Sequence, residues 1–235
     1  FERLAPGGAI FVGDVRSRAL LETMLCEIEL QKAAPDAPAG ELQARLKKRI
    51  DEESELVLDP NLFLSLRQRL PEIEDVQVEL KPGRQPSEMT RFRYDVVIRK
   101  RGGMPRLPVI TDTCQAPAPC TLEALKTIVR SGPTSLRIIG IPNARVSAPL
   151  AALRALHARS PASRLGEIAV GSSSGIDPED VRALNANYEV AVEWSAAGPG
   201  YFDAVFRLRT AAGAAMGPTE KGAAGSRPRL APPPA

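Results

Sequence analysis

The chain has 235 residues, 43% of them hydrophobic, enough for one or two domains with a sizeable core. Lys and Arg number 31 against 28 Asp and Glu, a net charge of +3 with both signs interspersed, so no basic stripe argues for a nucleic-acid partner. No apolar run approaches the roughly 18 residues of a membrane span and no charged-then-apolar leader opens the sequence, so neither a membrane partner nor export is expected and the expected compartment is the cytoplasm.

In chain order, Ala9 to Val15 reads as a short buried strand, and Leu20, Leu21, Met24, Leu25 and Ile28 recur behind it at helical spacing. Leu42, Leu46 and Ile50 mark a second, strongly charged helix. Asp59-Pro60 then supplies an N-cap and a first-turn proline for a third helix carrying Leu62, Phe63, Leu66 and Leu70, which Pro71 ends. Val76, Val78 and Leu80 alternate with polar residues, and so do Phe92, Tyr94, Val96 and Ile98, which predicts two antiparallel strands joined by a long connection. Periodicity is lost from Arg101 to Pro119, where Gly and Pro are frequent. Beyond it, Leu122 to Val129 reads as a helix, Leu136 to Ile141 as a strand, and Leu150, Leu153 and Leu156 as another helix. Asp177-Pro178 opens a short helix, Tyr188, Val190, Val192 and Trp194 form a strand, and Phe202, Ala204, Phe206 and Leu208 form its partner. The expected organisation is a first unit at 1–100, a linker at 101–120, an appended α/β unit with a C-terminal hairpin at 121–210, and a disordered Ala/Gly/Pro tail at 211–235.

The two halves share an order of parts. "IFVGDVRS" and "IIGIPNARV" are strands ending in Asp or Asn, any residue, then Arg; Asp-Pro opens a helix in each; and each ends on a hairpin with an aromatic-Asp pair, Tyr94-Asp95 and Phe202-Asp203. This predicts a degenerate duplication.

Cys26, Cys114 and Cys120 form neither an even disulfide set nor a CxxC pair, so reduced thiols and no metal are expected. "GSSSG" at 171–175 formally fits a nucleophile elbow, but the one histidine, His157, lies upstream of Ser173, against the chain order of that triad. The serines read as a polar loop leading into the Asp177 cap.

"LAPGGAIFVGDVRSRALLE", "LVLDPNLFLSLRQRLPEIEDVQVELKPGR" and "EMTRFRYDVVI" together resemble the C-terminal half of the S-adenosylmethionine-dependent methyltransferase domain embedded in adenylation modules of nonribosomal peptide synthetases. "GIPNARV", "GIDPEDVRAL" and "EVAVEWSAAGPGYFDAVFR" resemble the segment that follows, so the resemblance runs from Leu4 to Arg209; Ser87 stands where that family usually carries Asn. The resemblance implies an α/β fold: the C-terminal part of a Rossmann-like class I methyltransferase sheet, strands 5 to 7, followed by a smaller α+β unit. It also places the cofactor-binding Gly-rich turn and ribose carboxylate upstream of these residues, so S-adenosylmethionine is expected to bind only together with an N-terminal half. The implied reaction is methyl transfer to the amine of an aminoacyl thioester held on phosphopantetheine, with the upstream half, an adenylation domain and a carrier domain as partners.

Ligands of open α/β sheets sit beyond the carboxyl ends of the strands, where Asp14 and Arg16 fall, and these two are expected to face the substrate; the alternative is that Asp14 caps the next helix and Arg16 pairs at the surface. Glu88, Thr90, Arg91 and Tyr94 lie at the start of the last strand of the first half. Glu88 and Tyr94 are the expected catalytic residues, orienting the amine lone pair, with Thr90 and Arg91 contacting substrate; on alternation alone Tyr94 also reads as a core aromatic. A non-catalytic remnant or interaction scaffold is the alternative function.

Overall fold

The computed structural model describes residues 1–102, 110–168 and 173–209. β1 (Ala9–Ser17) passes through a single 3-10 turn into α1 (Leu21–Lys32), followed by α2 (Ala39–Asp51), the two-residue β2 (Val57–Leu58), α3 (Pro60–Arg69), β3 (Ile73–Leu80), α4 (Glu88–Phe92) and β4 (Arg93–Lys100). Then come β5 (Asp112–Gln115), α5 (Leu122–Arg130), β6 (Ser135–Pro142), α6 (Ala144–His157), α7 (Pro178–Arg182), β7 (Tyr188–Trp194) and β8 (Tyr201–Leu208).

Helix starts follow side-chain chemistry. Asp59 and Asp177 accept the N–H groups of Asn61 and Glu179, each ahead of a first-turn proline whose missing donor costs nothing there. Thr121 and Asn143 cap α5 and α6, and Ser87 with Thr90 forms a reciprocal capping box on α4. That box holds Phe92 in a helix that alternation alone assigns to the following strand. Two further departures from the sequence reading are β2 and β5. The last of these places a short edge strand inside the stretch expected to be a linker. The tail expected from 211 onward, and Gly171 and Ser172 of "GSSSG", lie outside the described residues.

The strands form one mixed sheet in the order β2-β1-β4-β3-β7-β8-β6-β5. β4 runs antiparallel between β1 and β3, and β8 antiparallel between β6 and β7. Helices cover one face. Phe63 of α3 packs with Val76, Val78, Tyr94 and Val96, while Leu125 and Val129 of α5 and Val181 of α7 pack with Ile138, Val192, Phe202 and Phe206. Between the halves β3 and β7 share one register pair, Glu79 with Glu193, near the carboxyl ends of both strands. On the opposite face Asp95, Glu79, Glu193 and Asp203 therefore stand in register across four strands. Like charges opposite one another repel, and Lys81 on Asp95 and Arg137 on Glu193 and Asp203 offset this.

The two halves repeat each other in detail. β1 is irregular between Val12 and Val15, and β6 between Ile138 and Ile141. Within those irregularities Asp14 (φ 60°) and Gly140 (φ 77°) take the left-handed conformation that suits Gly and Asp. Asp95 accepts the Asp14 N–H at 2.9 Å, and Asp203 accepts the Gly140 N–H at 3.1 Å. Ser17 pairs in parallel with Leu58 just before the Asp59 cap, and Asn143 with Ile176 just before the Asp177 cap. The aromatic-Asp match is thus structural. The match of Asp14-x-Arg16 with Asn143-x-Arg145 is not, because geometry equates Asp14 with Gly140, three residues earlier.

Candidate functional site

Of the expected site residues, the carboxyl end of β1 brings Asp14 and Arg16 together with Glu88. Arg16 is deeply set, with 12% of its side chain exposed, and pairs through Nη1 with Glu53 (3.1 Å) and through Nη2 with Glu55 (2.6 Å) and Glu88 (2.8 Å). Arg93, at 16%, pairs through Nη1 with Glu55 and through Nη2 with Glu88, both at 2.7 Å, and also donates to the Asp14 carbonyl at 3.1 Å. Lys81 donates to Asp14 at 2.6 Å and to Asp95 at 2.9 Å. Within this network Arg16, Arg93 and Lys81 face Glu53, Glu55, Glu88, Asp14 and Asp95, a surplus of two negative charges. The side chains of Asp14 (55%), Glu88 (41%) and Glu55 (40%) form the solvent-facing rim, with the guanidiniums beneath them.

This geometry suits a ligand bearing N–H donors or positive charge. Burial alone would raise the Glu88 carboxyl, but hydrogen bonds from Arg93 and Arg16 outweigh it and hold the group below the ordinary glutamate value. Burial likewise works against the Lys81 ammonium, yet Asp14 and Asp95 keep it charged beyond the ordinary lysine range. Glu88 is therefore an ionised acceptor and a weak base. The sign for stability follows: its contribution is full above the ordinary glutamate pKa of about 4.3 and is lost as pH falls below it. The urea-midpoint difference between the native chain and Glu88→Gln is expected to be largest at pH 6 to 7 and to shrink progressively as pH falls below about 4.3. A difference that does not change with pH would show that the carboxylate charge is not what matters.

The other expected residues are placed differently. Asp14 does not cap the next helix, since Ser17 stands at the N-cap of the following 3-10 turn. The Thr90 hydroxyl closes the α4 capping box and donates to the Gln85 carbonyl at 2.7 Å, so it shapes the loop. Arg91 points away from Arg16, donating to Glu27 (2.8 Å) and to the Arg145 carbonyl (2.9 Å) between α1 and α6. Tyr94 is 1% exposed, packs edge-on against Phe63, and donates its hydroxyl to the Leu58 carbonyl at 3.0 Å. Burial and the nearby Asp59 push its phenol well above the ordinary range. In this geometry Tyr94 is a core aromatic that ties β4 to β2. Sequence reasoning missed Glu53, Glu55, Lys81 and Arg93; the one available signal was the acidic run "DEESE" just ahead of β2.

Other chemistries find no support. Ser173 donates its hydroxyl to the Ala144 carbonyl, and His157 pairs with Glu22 at 3.0 Å on the surface, so the two do not form a nucleophile-base pair. Burial, then Glu22 and Glu27, push the Cys26 thiol up to about 12, and all three cysteines are free. Among the described residues no cluster suits a metal ion, and no helix is long and apolar enough to cross a membrane.

No family model matches the chain. It is 32% identical over 216 residues to chondramide synthase of Chondromyces crocatus, covering 86% of this chain and 5% of that protein. It is 33% identical over 159 residues to a nonribosomal peptide synthetase of Salinispora arenicola (65% and 2%), and 33% identical over 89 residues to peramine synthetase A of Epichloe festucae (38% and 3%). The chain spans only a few per cent of the length of these relatives. Its homologues are nonribosomal peptide synthetases, and the chain is related to a segment of them.

Proposed function

We propose that this chain forms the distal half of a methyltransferase domain in a nonribosomal peptide synthetase, placing the amine of a carrier-bound aminoacyl thioester for methylation. The observation that carries this reading is the acid-rimmed carboxyl end of β1, set on a β1-β4-β3 arrangement that corresponds to the fifth, seventh and sixth strands of the resembled sheet. An amine that is neutral or nearly so needs acceptors to orient its lone pair rather than a strong base. Glu88 and Glu55 supply such acceptors, Arg16 and Arg93 fix them, and Asp14 with Lys81 closes the rim. An adenylation domain and a phosphopantetheine-bearing carrier domain are the partners this reading requires.

The residues described here do not fit S-adenosylmethionine. At the junctions after β1, β2 and β6 stand Ser17, Asp59 and Asn143, none of them the glycine that lets a backbone approach a cofactor closely, and Gly83 between β3 and α4 has its N–H and carbonyl engaged by Glu179 and Arg145. In this reading other residues of the synthetase bind the methyl donor, and residues 1–235 alone should show no micromolar binding of it by isothermal titration.

One observation also suits an interaction module. Of the described residues, only Val57 and Leu58 pair with the outer edge of β1, and Phe11 there is 66% exposed, whereas β5 covers the matching edge of β6. Such an edge pairs readily with another strand. Labelled-methyl transfer to a carrier-loaded aminoacyl thioester, measured in a synthetase module containing this segment, separates the readings. Methylated product supports the enzyme; a folded module with loaded carrier and no product leaves the interaction role.

A further inference from the structure

Arg145 stands in the first turn of α6, in the second half of the chain, yet its guanidinium is directed at the first half. With 6% of its side chain exposed, it donates through Nη1 to the carbonyls of Lys81 (2.8 Å) and Thr90 (3.3 Å) and through Nη2 to that of Gly83 (2.6 Å). Nε and Nη2 close on both oxygens of Asp177, at 3.2 and 3.1 Å. Asp177 is thereby held in place while it caps α7; burial would raise its pKa, but the hydrogen bonds from Arg145 and the Glu179 N–H, together with the charges of Arg145 and Arg84, outweigh it and lower the carboxyl below its ordinary value.

A second stitch runs the other way. Pro149 lies within α6 and has no N–H, so the Arg145 carbonyl four residues earlier has no helical donor. Arg91 of α4 fills that place with its Nε at 2.9 Å. The Gly83 N–H, in turn, donates to Glu179 of α7 at 3.2 Å. The connection from Lys81 to Phe92 contains only the five-residue α4, too short to be stable alone. It is therefore clamped by the second half through side chains that meet backbone.

We propose that Arg145 is a positioning residue: by gripping the carbonyls of Lys81, Gly83 and Thr90 it fixes α4 and hence the direction in which Glu88 faces the substrate. The candidate site then depends on the second half although no second-half residue lies in its rim. The chemical consequence rests on the methyl-transfer reading, whereas the clamp itself does not.

Two variants test it. Arg145→Met removes every donor, and Arg145→Lys keeps the charge but loses the planar fork that serves several acceptors at once. In the chain of residues 1–235, hydrogen exchange over 83–92 should quicken by about tenfold or more in Arg145→Met and by less in Arg145→Lys, with β1, β3 and β4 unchanged. Unaltered exchange over 83–92 in a folded variant overturns the clamp, and if Arg145→Met unfolds, Arg145→Lys decides. In a methylating synthetase module, kcat per folded molecule should fall about ten- to a hundredfold while KM for the loaded carrier changes little, with partial rescue by lysine. Parental kcat in both variants overturns the positioning role. A parent module that does not methylate would instead sink the functional reading, with the exchange result still deciding the clamp.

Discussion

Replacing Trp194 with alanine is expected to cost about 3 kcal/mol, the lower end of the range for removing a large core aromatic, because the indole is only partly buried. The cost is large for a single residue because of where Trp194 sits. It is the one tryptophan in the sequence, and it packs against all three hydrophobic clusters: those built on α1, α2 and α6, on α5 and α7, and on α3. Its ring lies 6.3 Å from that of Tyr94, the core aromatic of the first half. The backbone does little at this boundary, since β3 and β7 share a single register pair. Side chains therefore hold the halves together: Trp194 in the core, Arg145 at the loops, and Arg182, which donates to the Leu80 carbonyl at 3.0 Å. Urea unfolding followed by circular dichroism should show a midpoint loss for Trp194→Ala and a lower slope as the halves cease to melt together. Trp194→Phe should recover most of the loss. A Trp194→Ala chain within 1 kcal/mol of the native one would show that the halves are joined by something other than this ring.

Long elements were legible because their periodicity is set by burial. Tyr188, Val192, Phe202, Ala204 and Phe206 alternate because one sheet face carries the helices, and Asp-Pro announces α3 and α7 by a local chemistry that needs no tertiary context. β5 was not legible. It has four residues, mostly exposed, and exists because β6 offers it an edge. β2 is shorter still. The duplication was visible in its order of parts but misaligned at the first strand. "D-x-R" and "N-x-R" look alike as letters, whereas the backbone requirement falls on the positive-φ residue, which is Asp14 in one half and Gly140 in the other. The site was half legible. Arg16 and Glu88 could be named from one end of a strand, but their partners Glu53, Glu55 and Arg93 converge only on folding. Arg145 could not be read at all, since its partners in the first half are carbonyls, which every residue has.

In a methylating module, Glu88→Gln should slow transfer by about ten- to a hundredfold, about 1.4 to 2.7 kcal/mol, while Tyr94→Phe should leave the rate within about twofold. The amide keeps the shape of Glu88 but is a weaker acceptor for an amine and loses its charge-assisted bonds to Arg16 and Arg93, so both its acceptor strength and its placement suffer. Tyr94→Phe removes a hydroxyl already donated to the Leu58 carbonyl, which should cost about 1 kcal/mol of stability without touching substrate. The pH dependence sharpens the contrast. Because Arg93 and Arg16 overcome the effect of burial and keep Glu88 ionised below the ordinary glutamate range, its titration should leave no limb in the rate near pH 5. The rate should instead rise as the substrate amine loses its proton, at or below the value near 8 of a free α-amine. Slow transfer by Tyr94→Phe beside normal transfer by Glu88→Gln would reverse the assignment: the tyrosine hydroxyl would then leave Leu58 during turnover, and the acidic rim would serve folding alone.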